Sequence, residues 1–131
     1  MKSKAVVGAR ILMGLIFFVF GLNGFFNFIP VPEMSAEAGA FMMALGASGY
    51  FFPLVKITEI VCGVLLLSNK YVPLALVILA PVVVNIFAFH IFMDLAGSPM
   101  SIFLMLALAF LGYSYKSSFA GVLSKNSTPS V

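Results

Sequence analysis

The stretch YFFPLVKITEIVCGVLLLS, residues 50–68, decides what kind of protein this is. It has the length of a membrane-crossing helix, which takes about 20 mostly apolar residues. Yet Lys56 and Glu59 stand inside it. A charged side chain at the centre of a bilayer costs roughly 2.5–3.5 kcal/mol on insertion scales. If the run is a span, these two charges need partners, a task, or both.

The rest of the chain supports a span. Of 131 residues, 63% are hydrophobic and 8% charged. A soluble domain carries about 25% charged residues. So few charges leave too little polar surface for a water-facing domain. The class is a small integral membrane protein. Three further apolar runs reach spanning length, at about 6–29, 71–93 and 101–119. The fold class is therefore all-α, a four-transmembrane-helix bundle in one domain over residues 1–119. Residues 120–131 form a polar cytoplasmic tail. Helices are expected because four runs cannot close a barrel. A cleaved leader is a minor alternative for the first run, whose apolar length exceeds the usual 7–15 residues.

Between the first two spans lies SAEAGAFMMALGASG, residues 35–49. It is too short to cross. Ser35 suits a helix N-cap, Glu37 suits the first turn, and Phe41, Met42 and Leu45 share one face. A short extra surface helix is expected here, with an irregular loop as the alternative. Lys2, Lys4, Arg10, Lys70, Lys116 and Lys125 fall on one side of a four-span arrangement. Glu33, Glu37 and Asp94 fall on the other. The excess of Lys and Arg marks the cytoplasmic side, so both termini are expected there, in the cell membrane.

Several chemistries are excluded. Cys62 is the only cysteine, so no dithiol pair exists. His90 is the only histidine, which rules out a bis-histidine haem within one protomer. The basic residues form no patch with interleaved aromatics, so nucleic acid is not a partner. No metal is expected, and no motif marks a self-sufficient enzyme.

At a rise of 1.5 Å per residue, Asn23 lies ~9 Å, Lys56 ~9 Å, Glu59 ~14 Å, Asn85 ~12 Å and His90 ~5 Å below the outer boundary. Polar groups from three helices thus share the outer half of the bundle. Ionisable residues at such depth point to a functional site. Asn23, Lys56, Glu59, Asn85 and His90 are the candidate ligand-binding residues. The competing reading makes the asparagines helix–helix glue, Lys56–Glu59 a structural ion pair and His90 a partner of Asp94 alone. Arg10 either marks the cytoplasmic boundary or reaches inward as a buried charge partner of Glu59. Gly14, Gly21, Gly24 and Gly63 are candidates for close helix packing.

The segments ARILMGLIFFVFGLNGFFNF, ITEIVCGVLLL and FHIFMD, within residues 9–94, resemble the DoxX family. The matching features are Arg10 with Gly14, Gly21-Leu22-Asn23, Glu59 with Gly63, and His90, over about residues 5–115. Lys56 lies outside that pattern. The resemblance implies four transmembrane helices and, in the namesake proteins, a membrane subunit of a thiosulfate:quinone oxidoreductase. The expected function is a redox-associated subunit that binds a quinone-like or other amphipathic molecule. Apart from such a quinone, no intrinsic cofactor is expected. The expected partners are the lipid bilayer and a redox partner protein or further copies of the chain. The alternatives are a small transporter or lipid-binding protein with Glu59 as the proton or cation site, and a purely structural assembly subunit.

Overall fold

The computed structural model describes residues 2–130. Four long helices dominate: α1 (Lys2–Phe26), α3 (Phe51–Ser68), α4 (Val72–Met93) and α5 (Ser98–Ser114). A shorter helix, α2 (Ala36–Ala47), joins α1 to α3. The four long segments are long and apolar enough to cross a membrane, counting the 3₁₀ turn Leu95–Gly97 with α5. The protein is all-α, as the sequence reading requires, and α2 is the expected extra helix.

The helix ends follow local chemistry. Asn27, at φ 54°, turns left-handed, so α1 stops at Phe26 rather than near Ile29. Asparagine tolerates that region better than most residues. Asn69 repeats the device at φ 60°, and its N–H bonds back to the Leu65 and Leu66 carbonyls to end α3. Pro73 and Pro99 sit in the first turns of α4 and α5. There a proline forfeits no helical hydrogen bond. Helix α5 consequently begins at Ser98, three residues before the expected 101.

In sequence order the long helices alternate direction. The start of α1, the α3–α4 turn and the end of α5 share one end of the bundle, here the terminal end. Helix α2 and the α4–α5 connection lie at the other, the α2 end. Around the bundle the packing runs α1–α3–α4–α5 and back to α1. The closest seam is α1 on α3. A Cβ on Gly63 would lie 2.7 Å from the Phe18 amide nitrogen and 2.9 Å from the Gly14 carbonyl oxygen. One on Gly21 would lie 2.7 Å from Ile60 and 3.1 Å from the Lys56 carbonyl oxygen. The two backbones touch because these positions carry no side chain. Such contact matters in lipid, where helix association gains little from hydrophobic burial and relies on close packing.

The core occupies the terminal half. Met13 and Phe17 of α1, Cys62 and Leu66 of α3, a run of α4 from Val72 to Val83, and Leu104 and Leu111 of α5 are buried together. Arg10 is buried at the edge of this half. Its guanidinium donates to the carbonyl of Leu66, and also to that of Leu67 at 3.5 Å. These are among the last carbonyls of α3, where the regular helical hydrogen bonds run out and the negative end of the helix dipole lies. Arg10 therefore caps α3. It is not the charge partner of Glu59, which lies two turns back along that helix.

Candidate functional site

Lys56 and Glu59 are three residues apart on α3, so both point toward the same side of the helix. Lys56 Nζ and Glu59 Oε1 are 3.2 Å apart, an ion pair that is also a hydrogen bond. The Glu59 side chain is 6% exposed and that of Lys56 is 26% exposed. The carboxylate is thus sunk in the bundle while the ammonium keeps an open side. The lysine stem is laid across α1 at Gly24, where a Cβ would come within 2.5 Å of Lys56 Cγ. A side chain at position 24 would force the lysine to take another path.

The pair borders a cavity of about 1010 Å³ in the α2 half of the bundle. All five helices contribute walls. From α1 come Ile16, Phe17 and Phe20. Helix α3 adds Phe52 and Val55 beside the ion pair. Helix α4 supplies most of its length from Pro81 to Met93, and α5 supplies Met100 and Leu104. Helix α2 closes one side with Phe41, Met42 and Leu45, the three residues expected on its apolar face.

Helix α2 is held there by particular contacts. The Ser35 hydroxyl accepts from the Ala38 amide at 3.2 Å, the expected N-cap. It also donates to the Met93 carbonyl at 3.1 Å, tying α2 to the end of α4. The rings of Phe41 and Phe89 stack at 5.9 Å, and Ala38 is fully buried beneath the helix.

Of the five candidate ligand-binding residues, Lys56, Glu59, Asn85 and His90 line this one cavity. Asn85 is exposed, and its Nδ2 donates to the Pro81 carbonyl at 2.9 Å. His90 stands at the rim. Its Nδ1 lies 3.1 Å from the Asp94 carbonyl oxygen and 3.4 Å from Asp94 Oδ2. Gly97 makes room for this arrangement, since a Cβ there would overlap the His90 ring.

Asn23 is a correction. It lies outside the cavity wall. Its Nδ2 donates to the Ile29 carbonyl at 3.3 Å, and its Oδ1 accepts from the Ile29 amide at 2.6 Å. The left-handed turn at Asn27 folds the chain back, and the Asn23 amide satisfies two backbone groups that the broken helix leaves unpaired. Its side chain serves the end of its own helix, which stops at Phe26 rather than near the Ile29 from which its depth is counted.

Other features of the wall escaped sequence reading. Glu33 lines the cavity near its mouth, and phenylalanines from α1, α2, α3 and α4 supply much of its surface. Nothing in the sequence separates those phenylalanines from the ones that face outward. Among the described residues, no three His, Cys, Asp or Glu side chains gather into a metal site. The arrangement suits a mostly apolar guest whose polar head meets a few hydrogen-bonding groups at the floor and rim. That is the usual composition of small-molecule sites.

Comparison with curated proteins and with solved structures found no match. A family model, DoxX, matches residues 5–91, which include most of α1, all of α2 and α3, and most of α4. The chain belongs to the DoxX family.

Proposed function

We propose that this DoxX-family protein is a redox-associated membrane subunit that holds a quinone-like or other amphipathic molecule in its cavity. One observation carries the reading: Lys56, Glu59, Asn85 and His90, from two helices, line a single, mostly apolar cavity of about 1010 Å³, with Glu33 and Asp94 also in its wall. Lys56 has protons to spare beyond the one it gives Glu59, and these suit a carbonyl oxygen of the guest. Glu59 holds the ammonium in place. At the rim His90, fixed by Asp94, is suited to exchange protons with the aqueous side. The apolar tail of the guest lies along the phenylalanine and aliphatic walls.

In this reading both termini are cytoplasmic and the cavity opens toward the outer face. The placement of Lys4, Lys70 and Lys116 at the terminal end supports that orientation. Reporter fusions at residue 125 and within 94–100 test it. A periplasmic signal from the first would reverse the topology.

The binding test is a titration of short-chain quinone analogues into wild type and into Lys56→Met, Asn85→Leu and His90→Phe. Saturable binding by wild type, weakened in the variants, is expected. An absence of saturable binding to wild type, or equal binding by all four proteins, would leave the charges with a structural role only.

A further inference from the structure

The cavity has charged walls of one predominant sign. Glu33, Glu59 and Asp94 line it, against Lys56 and His90. Neither basic group is free. Lys56 Nζ is engaged by Glu59 Oε1 at 3.2 Å, and His90 Nδ1 faces both the carbonyl and the carboxylate of Asp94. Glu33 has no ion-pair partner among the described residues. With the Lys56–Glu59 pair ionised, the lining is net negative whether or not His90 carries a proton. The other cations of the helices sit elsewhere: Lys4, Arg10, Lys70 and Lys116 belong to the terminal end. Phe20, Phe41, Phe52 and Phe89 line the same space without adding a charge.

The cavity is also broad. Asn85 and Pro81 on its α4 wall are exposed rather than packed against neighbours. A site this open inside a bilayer meets fatty acids and anionic lipids in large excess over any special ligand. An apolar wall does not reject them, because their chains match those of other amphiphiles. Only the head group differs.

We infer that the cavity selects amphiphiles by head-group charge, accepting uncharged or cationic heads and excluding anionic ones. This rests on the amphiphile-binding reading above and adds the rule of selection. An anionic head at the floor must compete with Glu59 for the one ammonium, and at the rim it meets Glu33 and Asp94. At the floor, beside the buried Glu59, charges act on one another far more strongly than in water, and at the exposed Glu33 of the rim they act more weakly than at the floor. An uncharged carbonyl takes a hydrogen bond from Lys56 without disturbing the pair. A cation gains the attraction of the rim carboxylates of Glu33 and Asp94.

The experiment uses the full chain in nanodiscs of zwitterionic phosphatidylcholine, with a short-chain quinone bound. Dodecanoate, dodecanol and dodecyltrimethylammonium are added as competitors at alkaline pH, where the fatty acid is ionised. Each is scaled to its measured concentration in the membrane. Dodecanol and the quaternary ammonium are expected to displace the quinone. Dodecanoate is expected to need at least about tenfold more. In Glu33→Gln and in Asp94→Asn that gap narrows. Glu33→Gln is the safer variant for folding, because the Glu33 side chain makes no hydrogen bond or ion pair among the described residues.

Dodecanoate displacing as well as dodecanol overturns the rule while leaving amphiphile binding intact. So does a gap unchanged in both variants, a cation no better than dodecanoate, or a failure of dodecanol to compete. An absence of any saturable quinone binding instead sinks the amphiphile reading, and the selection rule falls with it.

Discussion

The two halves of the bundle use the same four helices to opposite ends. In the terminal half, Met13, Leu66, Leu79 and Leu111 fill the space between helices. In the α2 half, α4 from Pro81 onward turns its side chains to a cavity of about 1010 Å³. Phe17, Leu104 and Glu59 belong to both, being buried and also lining the cavity, so they form its floor. The α1–α3 seam runs through both halves, with Gly14 and Gly63 in one and Gly21 and Gly24 in the other. The cavity therefore does not come from a loosening of the whole bundle. One tightly joined helix pair supports a packed end and a hollow end alike.

The strongest way to break this contrast is to attack what both halves share. Gly63→Leu drives a side chain into the Phe18 and Gly14 backbone and should cost on the order of 3 kcal/mol or more. Thermal unfolding in detergent, followed by loss of the monodisperse peak, checks it. A variant that melts like wild type would mean that the seam is not the support of the bundle.

The halves can then be compared directly. Leu79→Ala, in the packed half, should lose about 2–5 kcal/mol. Ile86→Ala, one to two turns on at the cavity wall, should lose well under half as much, because its side chain already borders open space. Matched melting curves decide the matter. Equal losses would show that both ends are packed alike.

At the floor, Lys56→Met leaves the Glu59 carboxylate buried without its cation. The destabilisation should be on the order of 2 kcal/mol, limited because the carboxyl can take up a proton. Adding Glu59→Gln to that variant should recover most of the loss. Glu59→Gln alone should be milder than Glu59→Leu, since the amide still accepts from Lys56. A double variant no better than Lys56→Met would mean that the two side chains do not act together.

The smallest effect belongs to the end of α1. Asn23→Ala removes both bonds to Ile29 and should cost about 1 kcal/mol. It should leave quinone titrations unchanged. A fall in affinity equal to that of Asn85→Leu would return Asn23 to the site.

Much of this was legible in the sequence. The four spans, the extra helix and its Ser35 cap follow from apolar length and capping chemistry, which are local properties. Relative position along each helix was legible too, because each residue adds a fixed rise. What the sequence hides is azimuth, the direction a side chain takes around its helix. Asn23 and Arg10 lie at heights where a site residue or a charge partner is plausible. Asn23 turns to the end of its own helix, and Arg10 to the carbonyls of α3. In a membrane protein the usual clue to azimuth is missing, since phenylalanines face lipid, core and cavity equally well. That is why the cavity, built largely from such residues, had no signature of its own beyond its few polar groups.

The glycine seam also sets an order of events. Helices α1 and α3 form an antiparallel pair with α2 looped between them, so that Gly14 meets Gly63 and Gly24 meets Lys56. Everything the seam needs has been synthesised by residue 68, before α4 exists. Chains made from the N-terminus settle their first units first. The seam should zip while the second hairpin is still being made. The cavity needs walls from α4 and α5, so it should be the last part of the molecule to take shape, on the docking of that second hairpin.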